Sequence, residues 1–153
     1  MRVRDAMTPN PAACDRKTSL RLVAQLMTDH GCAAIPVTES GKLIGIITDR
    51  DIALRGVAPR LDASGLSADA CMTRPVIAVE ADEPIEKAIE LMEENAIHHL
   101  PVILADGTLV GILAQSDLGR RMTNREFGAL ARFTSIAGGR VSRLSSALVK
   151  RDH

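Results

Sequence analysis

The 153-residue sequence has no tryptophan and no tyrosine, and its two phenylalanines, Phe127 and Phe133, both fall near the C-terminal end. A core must therefore be built from Leu, Ile, Val, Ala and Met. The absence also removes the aromatic platforms on which single-stranded nucleic acid binders stack bases. No apolar run approaches the roughly 20 residues of a membrane span, so no membrane is expected. The opening MRVRDAMTPN holds no apolar run of signal-peptide type. Cys14, Cys32 and Cys71 are odd in number and lack C-x-x-C spacing, so free thiols in a reducing, cytoplasmic compartment are expected. Neither G-x-S-x-G, nor G-x-G-x-x-G, nor a local Cys/His signature occurs. No catalytic residue is assigned, and an enzyme is not expected. A zinc set drawn from His30, His98, His99 and a cysteine fails on geometry, because neighbouring strand residues point to opposite faces. No metal is assigned either.

What is present is ordinary in amount and uneven in placement. Apolar residues make up 46% and charged residues 25%, with zero net charge. Residues 119–153 nevertheless hold eight Lys/Arg against two acids, while residues 1–118 hold eleven against seventeen. A basic tail on an acidic body can meet nucleic acid or an anionic partner. The commoner outcome is a solvated tail, or one folded on the acidic body of its own or a neighbouring subunit, and charge alone makes nucleic acid the weaker reading.

The chain writes one unit twice. Met7-Thr8 returns as Met72-Thr73, and Leu20, Val23, Ala24 and Met27 return as Ile85, Ala88, Ile89 and Met92, each at an offset of 65. The spacing i, i+3, i+4, i+7 is the apolar stripe of an amphipathic helix. Thr18 or Ser19 can cap the first helix, and Asp82-Glu83-Pro84 starts the second. Ile35-Pro36-Val37 matches Leu100-Pro101-Val102, and Ser40-Gly41 and Asp106-Gly107 read as hairpin turns. The returning strands run Leu43 to Thr48 and Leu109 to Ala114, with helices from about Asp49 and Gln115. Pro36 and Pro101 cannot donate to a ladder, which assigns them to strand starts or edges. The fold class is α/β (α+β): two β-α-β-β-α repeats packed about a pseudo-twofold axis, with a short helical tail. The divisions are 1–58, a connector at 59–68, 69–122, and the basic tail 123–153.

The frame D-x-M-T-P-x-P, then G-x-x-x-[IL]-P-V, then G-x-[LI]-G-I-[IL]-T-x-x-D-[IL], resembles the cystathionine-β-synthase (CBS) domain. Two copies in tandem resemble the CBS pair, or Bateman module, over roughly residues 1–122. The resemblance implies a small stand-alone regulatory protein of bacterial type, with no catalytic domain in the matched stretch.

Thr48-Asp49-Arg50-Asp51 has two readings from its residues. Thr48 can cap a helix whose positive end faces Asp51. The same geometry can hold a phosphate at the helix start while the carboxylate takes ribose hydroxyls. The resemblance adds that the S/T-x-x-D motif contacts ligand, with the hydroxyl near phosphate and the aspartate on ribose, which maps to Thr48 and Asp51. It places Gly31 to Pro36, including Ala33 and Ala34, on the adenine side. Arg50 can reach a phosphate or simply be solvated. In the second copy Ala114 has lost the hydroxyl, while Asp117 keeps the ribose position. His98 and His99, before Pro101, stand where the first copy has Ala33 and Ala34. In some family members basic residues there contact phosphates; otherwise strand alternation turns one histidine inward and one to solvent.

These residues point to a sensor for an adenosine-containing ligand, with AMP, ADP, ATP and S-adenosylmethionine as candidates and no obligatory cofactor. The resemblance also implies a homodimer acting on a regulated protein partner. The competing reading is a ligand-free interaction or dimerisation module working through the tail, where Phe127, Leu130 and Phe133 give an apolar i, i+3, i+6 trace ending at Gly138-Gly139.

Overall fold

The structure is a computed structural model that describes residues 1–59 and 63–121, with the side chain of Arg121 left aside. The tail from Thr123 to His153, with its Phe127 trace, lies outside the described residues.

Each repeat opens with a four-residue helix that the sequence pattern did not announce: α1 (Val3–Ala6) in the first and, later, α4 (Ala68–Cys71) in the second. The first repeat continues through β1 (Thr8–Pro9), α2 (Leu20–His30), β2 (Ala34–Glu39), β3 (Lys42–Thr48) and α3 (Asp49–Asp51), which runs on into π-helical turns Ile52–Val57. After α4 the second repeat has β4 (Val79–Glu80), α5 (Ile85–Asn95), β5 (His99–Ile103), β6 (Leu109–Ala114) and α6 (Gln115–Arg121).

Local chemistry explains the boundaries. Ser19, rather than Thr18, caps α2, its hydroxyl accepting from the Leu22 N–H at 3.3 Å. Thr18 instead closes a turn with Asp15. Gly31 ends α2 in the left-handed region, φ 60°, which glycine adopts without a Cβ penalty. The α2 stripe is narrower than its spacing suggests. Leu20, Val23 and Met27 are buried, but Ala24 faces solvent. In α5 all four stripe residues, Ile85, Ala88, Ile89 and Met92, are buried.

One sheet has strand order β1-β6-β5-β4, and β2 and β3 form a separate antiparallel hairpin. Cys14 adds alongside β2 in parallel, its N–H donating to Pro36 O at 3.0 Å and its carbonyl accepting from Thr38 N–H at 2.8 Å. Neither proline starts its strand; the edge alternative holds for Pro36, in the two-stranded β2–β3 hairpin, and not for Pro101, whose β5 lies between β6 and β4. Pro36 and Pro101 are each the third residue of a paired strand, opposite Ile46 and Ile112. Pro36 is tolerated there because its carbonyl accepts from Cys14, a role that needs no N–H.

The two repeats exchange their leading segments. Thr8 and Pro9 pair with Ile112 and Gly111 of β6. Reciprocally, Thr73 N–H donates to Ile46 O (2.8 Å) and Ile46 N–H to Thr73 O (3.2 Å). The cores follow the same exchange. Val3 and Ala6 are buried with Ile85, Met92, Leu100 and Leu113, whereas Ala68, Cys71 and Met72 are buried with Leu20, Val23, Ile35 and Ile47. Full burial of a side chain such as Val3 stabilises by about 1.5–3 kcal/mol, so each exchanged helix is tied firmly to the other repeat's core. The hairpin tips also meet. Leu43 N–H donates to Gly107 O and Leu109 N–H to Gly41 O, each at 3.1 Å. Lys42 Nζ donates to Asp106 Oδ2 (2.6 Å) and Thr108 Oγ1 (2.8 Å). This pairing of like with like gives the two repeats their pseudo-twofold relation.

Candidate functional site

The exchange opens a cleft of about 770 Å³ between the repeats. One wall is the end of β3 and its helix, with Ile46, Thr48, Asp49, Arg50 and Ala53. Opposite stand Ala96 to His99 at the α5–β5 junction, and Thr73 with Pro75, Val76 and Ile77 closes the third side.

Thr48 and Asp51 form a reciprocal cap. The Asp51 N–H donates to Thr48 Oγ1 (3.2 Å), and Asp51 Oδ2 accepts from the Thr48 N–H (2.9 Å) and from Thr48 Oγ1 (3.1 Å). Such a box satisfies donors that a helix start would leave open. The other carboxylate oxygen is more loosely engaged. Asp51 Oδ1 accepts from Thr73 Oγ1 at 3.4 Å and has Arg55 Nε at 3.8 Å. Arg55 Nη1 in turn donates to Thr73 Oγ1 and to Met72 O, both at 3.3 Å. The same cap leaves Thr48 on the cleft wall.

The two histidines differ in exposure but both line the cleft, and only His99 lies within β5, so strand alternation does not separate them. His98 is exposed, and its Nδ1 lies 2.5 Å from Gln115 Oε1, which makes Nδ1 the donor when the amide oxygen faces it. His99 is half-buried opposite Ala114 on β6. Burial first, and then the neighbouring His98, pull the His99 pKa below its ordinary 6.5; Asp49 and Asp117 oppose this more weakly. The cleft's polar lining is thus Thr48, Thr73, Asp49, Arg50 and two titratable rings, set among aliphatic side chains.

Of the residues singled out from sequence, Thr48, Arg50, His98 and His99 share this cleft. Asp51 stands directly behind Thr48, with its side chain 14% exposed. Ala33, Ala34, Pro36, Pro101 and Asp117 do not line it. Ala33 holds the helix start from behind, its carbonyl accepting from Asp49 N–H at 3.1 Å, while Ala34, Pro36 and Pro101 are buried in strands. Asp117 pairs with Arg120 and lies close enough to act on His99. The cleft therefore joins the first copy's Thr48 to the second copy's Ala96–His99, across repeats. Sequence reasoning paired segments within a repeat and so missed Thr73, Pro75, Val76 and Ile77. The repeat alignment of Thr73 with Thr8 was visible, but strand exchange carries no residue signature.

The CBS-domain model matches residues 3–56 and 68–124. The chain belongs to the CBS-domain family. Among CBS-domain relatives, it is 35% identical over 128 residues to the CBS domain-containing protein YhcV of Bacillus subtilis, covering 83% of this chain and 90% of that one. Hypoxic response protein 1 of Mycobacterium tuberculosis is 31% identical over 120 residues, covering 78% and 83%. A crystal structure of Hypoxic Response Protein I with two coordinated zinc ions superposes with TM-score 0.74 at 30% identity, covering 80% of this chain and all of that one. CBSX2 in complex with AMP gives TM-score 0.67 at 27% identity, covering 78% and 93%. The CBS pair of MJ0100 with 5′-methylthioadenosine and S-adenosyl-L-methionine gives 0.71 at 28% identity, covering 78% and 94%. Among the described residues of this CBS pair, no three His, Cys, Asp or Glu side chains are grouped to hold a metal ion. Also among them, no helix is long and apolar enough to cross a membrane.

Proposed function

We propose that this CBS pair is a non-enzymatic regulatory module that binds an adenosine-containing ligand in the cleft between its repeats and signals through their altered packing. The carrying observation is the cleft itself, where the Thr48–Asp51 box of one repeat faces His98 and His99 of the other. Ile46, Ala53, Val76, Ile77 and Ile97 supply aliphatic surface for a base, so an adenine can be held without an aromatic platform. The ligands of CBSX2 and MJ0100 all contain adenosine, which supports this class. Arg50 favours a phosphorylated member such as AMP, ADP or ATP over the cationic S-adenosylmethionine by charge complementarity, and the His98 and His99 rings add hydrogen-bonding groups.

A homodimer is part of the proposal. Leu22 on α2 and Leu54 and Val57 on the π-helical turns are 51%, 55% and 56% exposed, large apolar side chains offered by the surface of one repeat. A second copy covering them, together with a regulated protein partner, completes the module.

Calorimetric titration with AMP, ADP, ATP and S-adenosylmethionine tests the reading. Saturable heat is expected with at least one nucleotide, weakened in Arg50→Ala, whose exposed side chain is expendable for folding. No heat with any of the four ligands overturns it.

A further inference from the structure

Asp51 stands behind Thr48 at the cleft wall, its side chain 14% exposed, with one oxygen saturated and one loosely held. Oδ2 already accepts two bonds at 2.9 and 3.1 Å from Thr48. A carboxylate oxygen has about two lone-pair sites, so Oδ2 has no capacity left for a ligand. Among the described residues, Oδ1 has only the long Thr73 bond at 3.4 Å and the Arg55 ion pair at 3.8 Å. An O–H···O bond is ordinarily about 2.7–2.8 Å, so Thr73 is a weak occupant of that position.

Arg55 fixes how Thr73 uses its hydroxyl. Arg55 Nη1 donates to Thr73 Oγ1 at 3.3 Å and to the backbone carbonyl of Met72 at 3.3 Å. With a lone pair taken by the guanidinium, the single hydroxyl proton of Thr73 is directed to Asp51. Thr73 is also the residue that bonds Ile46 on both sides, and it opens the segment through Pro75 and Ile77 that lines the cleft and leads to β4.

We propose that the Thr73 hydroxyl, oriented by Arg55, is an internal stand-in for a ligand hydroxyl on Asp51, so that an entering ribose must replace a bond between the two repeats. This rests on the reading of the cleft as an adenosine site and names how that site is coupled to repeat packing. Thr73 is then a built-in competitor. Removing it strengthens binding of any ligand whose sugar carries the vicinal diol, and leaves a ligand lacking that diol unaffected.

The test uses the full chain with AMP and 2′,3′-dideoxy-AMP, in wild type, Thr73→Val and Thr73→Ser, with thermal unfolding recorded for each. Thr73→Val preserves shape and removes the hydroxyl; it is expected to bind AMP several-fold more tightly while its affinity for the dideoxy analogue stays at the wild-type value. Thr73→Ser restores the hydroxyl and is expected to bind both as wild type does. If Thr73→Val binds AMP equally or more weakly, Thr73 is a ligand contact or a bystander and the stand-in is overturned, while the adenosine site survives. A wild type that binds none of AMP, ADP, ATP and S-adenosylmethionine removes both; where another of the four binds instead of AMP, it and its 2′,3′-dideoxy analogue take AMP's place in the test. Should Thr73→Val not fold, Arg55→Ala replaces it, with the same tightening expected because the hydroxyl is no longer aimed at Asp51; unchanged or weaker binding overturns the proposal.

Discussion

The sulfur of Met72 stands 2.6 Å from where a Cβ on Gly45 would lie, with Met72 Cγ at 3.1 Å and Cβ at 3.3 Å. The other repeat repeats the relationship: a Cβ on Gly111 would run into the Met7 side chain, with Met7 Cγ at 2.9 Å and Thr8 O at 3.1 Å. Each exchanged methionine thus lies across a glycine in the opposite repeat's returning strand. Met72 is buried, so it has little room to yield. Gly45→Ala is expected to cost about 1–3 kcal/mol, the usual range for an overpacked core. Urea denaturation of Gly45→Ala, Met72→Ala and the double variant measures this. A double variant that loses less than the sum of the singles shows the coupling; strict additivity would contradict the contact.

Much of this architecture was legible. The helix stripes and the hairpin turns located α2, α5, β2 and β5 and placed β3 and β6 within a residue, because each rests on a local period or a turn residue. The leading helices were not, since Val3–Ala6 and Ala68–Cys71 are too short to display a period and are held by packing against the other repeat. For the same reason the site was half legible. Thr48, Arg50, His98 and His99 could be named from the motif, but only the crossed pairing shows that they face one another.

Ala96 occupies the position in the second repeat that Gly31 holds in the first, and it ends α5 with φ 52° in the left-handed region. An L-residue there is strained by about 1–2 kcal/mol, a cost glycine avoids. Ala96→Gly should therefore raise stability, by up to about 1 kcal/mol once the unfolded chain's added freedom is counted. Thermal unfolding gives the comparison; a lower Tm would mean that the Ala96 methyl on the cleft wall contributes more than the strain.

His99 makes stability depend on pH. Its pKa is held below 6.5 by burial and by His98, against the weaker pull of Asp49 and Asp117. The unfolded chain thus takes up this proton more readily than the folded one, so stability rises with pH through the region of 6.5 and below and is complete above it. Urea midpoints should fall as pH drops through that window, and His99→Gln should flatten the slope. An unchanged slope in His99→Gln would assign the dependence to another group.

The three thiols should separate by reactivity. Burial, with Asp15 adding to it and Thr18 opposing, pushes the Cys14 pKa up to about 11, and Cys71 is fully buried. Cys32 is only half-buried. A disulfide reagent at neutral pH should titrate one thiol in the native protein and release the other two on unfolding. Cys32→Ser should abolish the native reaction; persistence of a fast thiol in that variant would refute the assignment.

The exchanged helices make each repeat depend on the other to complete its core. A polypeptide carrying one repeat would present an unfilled socket where its neighbour's Val3 or Ala68 belongs, and a detached helix that fits the same socket on another copy. Two such half-length chains could complete each other only as a swapped pair. One chain that carries both repeats keeps each socket beside the helix that fills it, while the copies differ at matching positions, with Thr48 in one and Ala114 in the other.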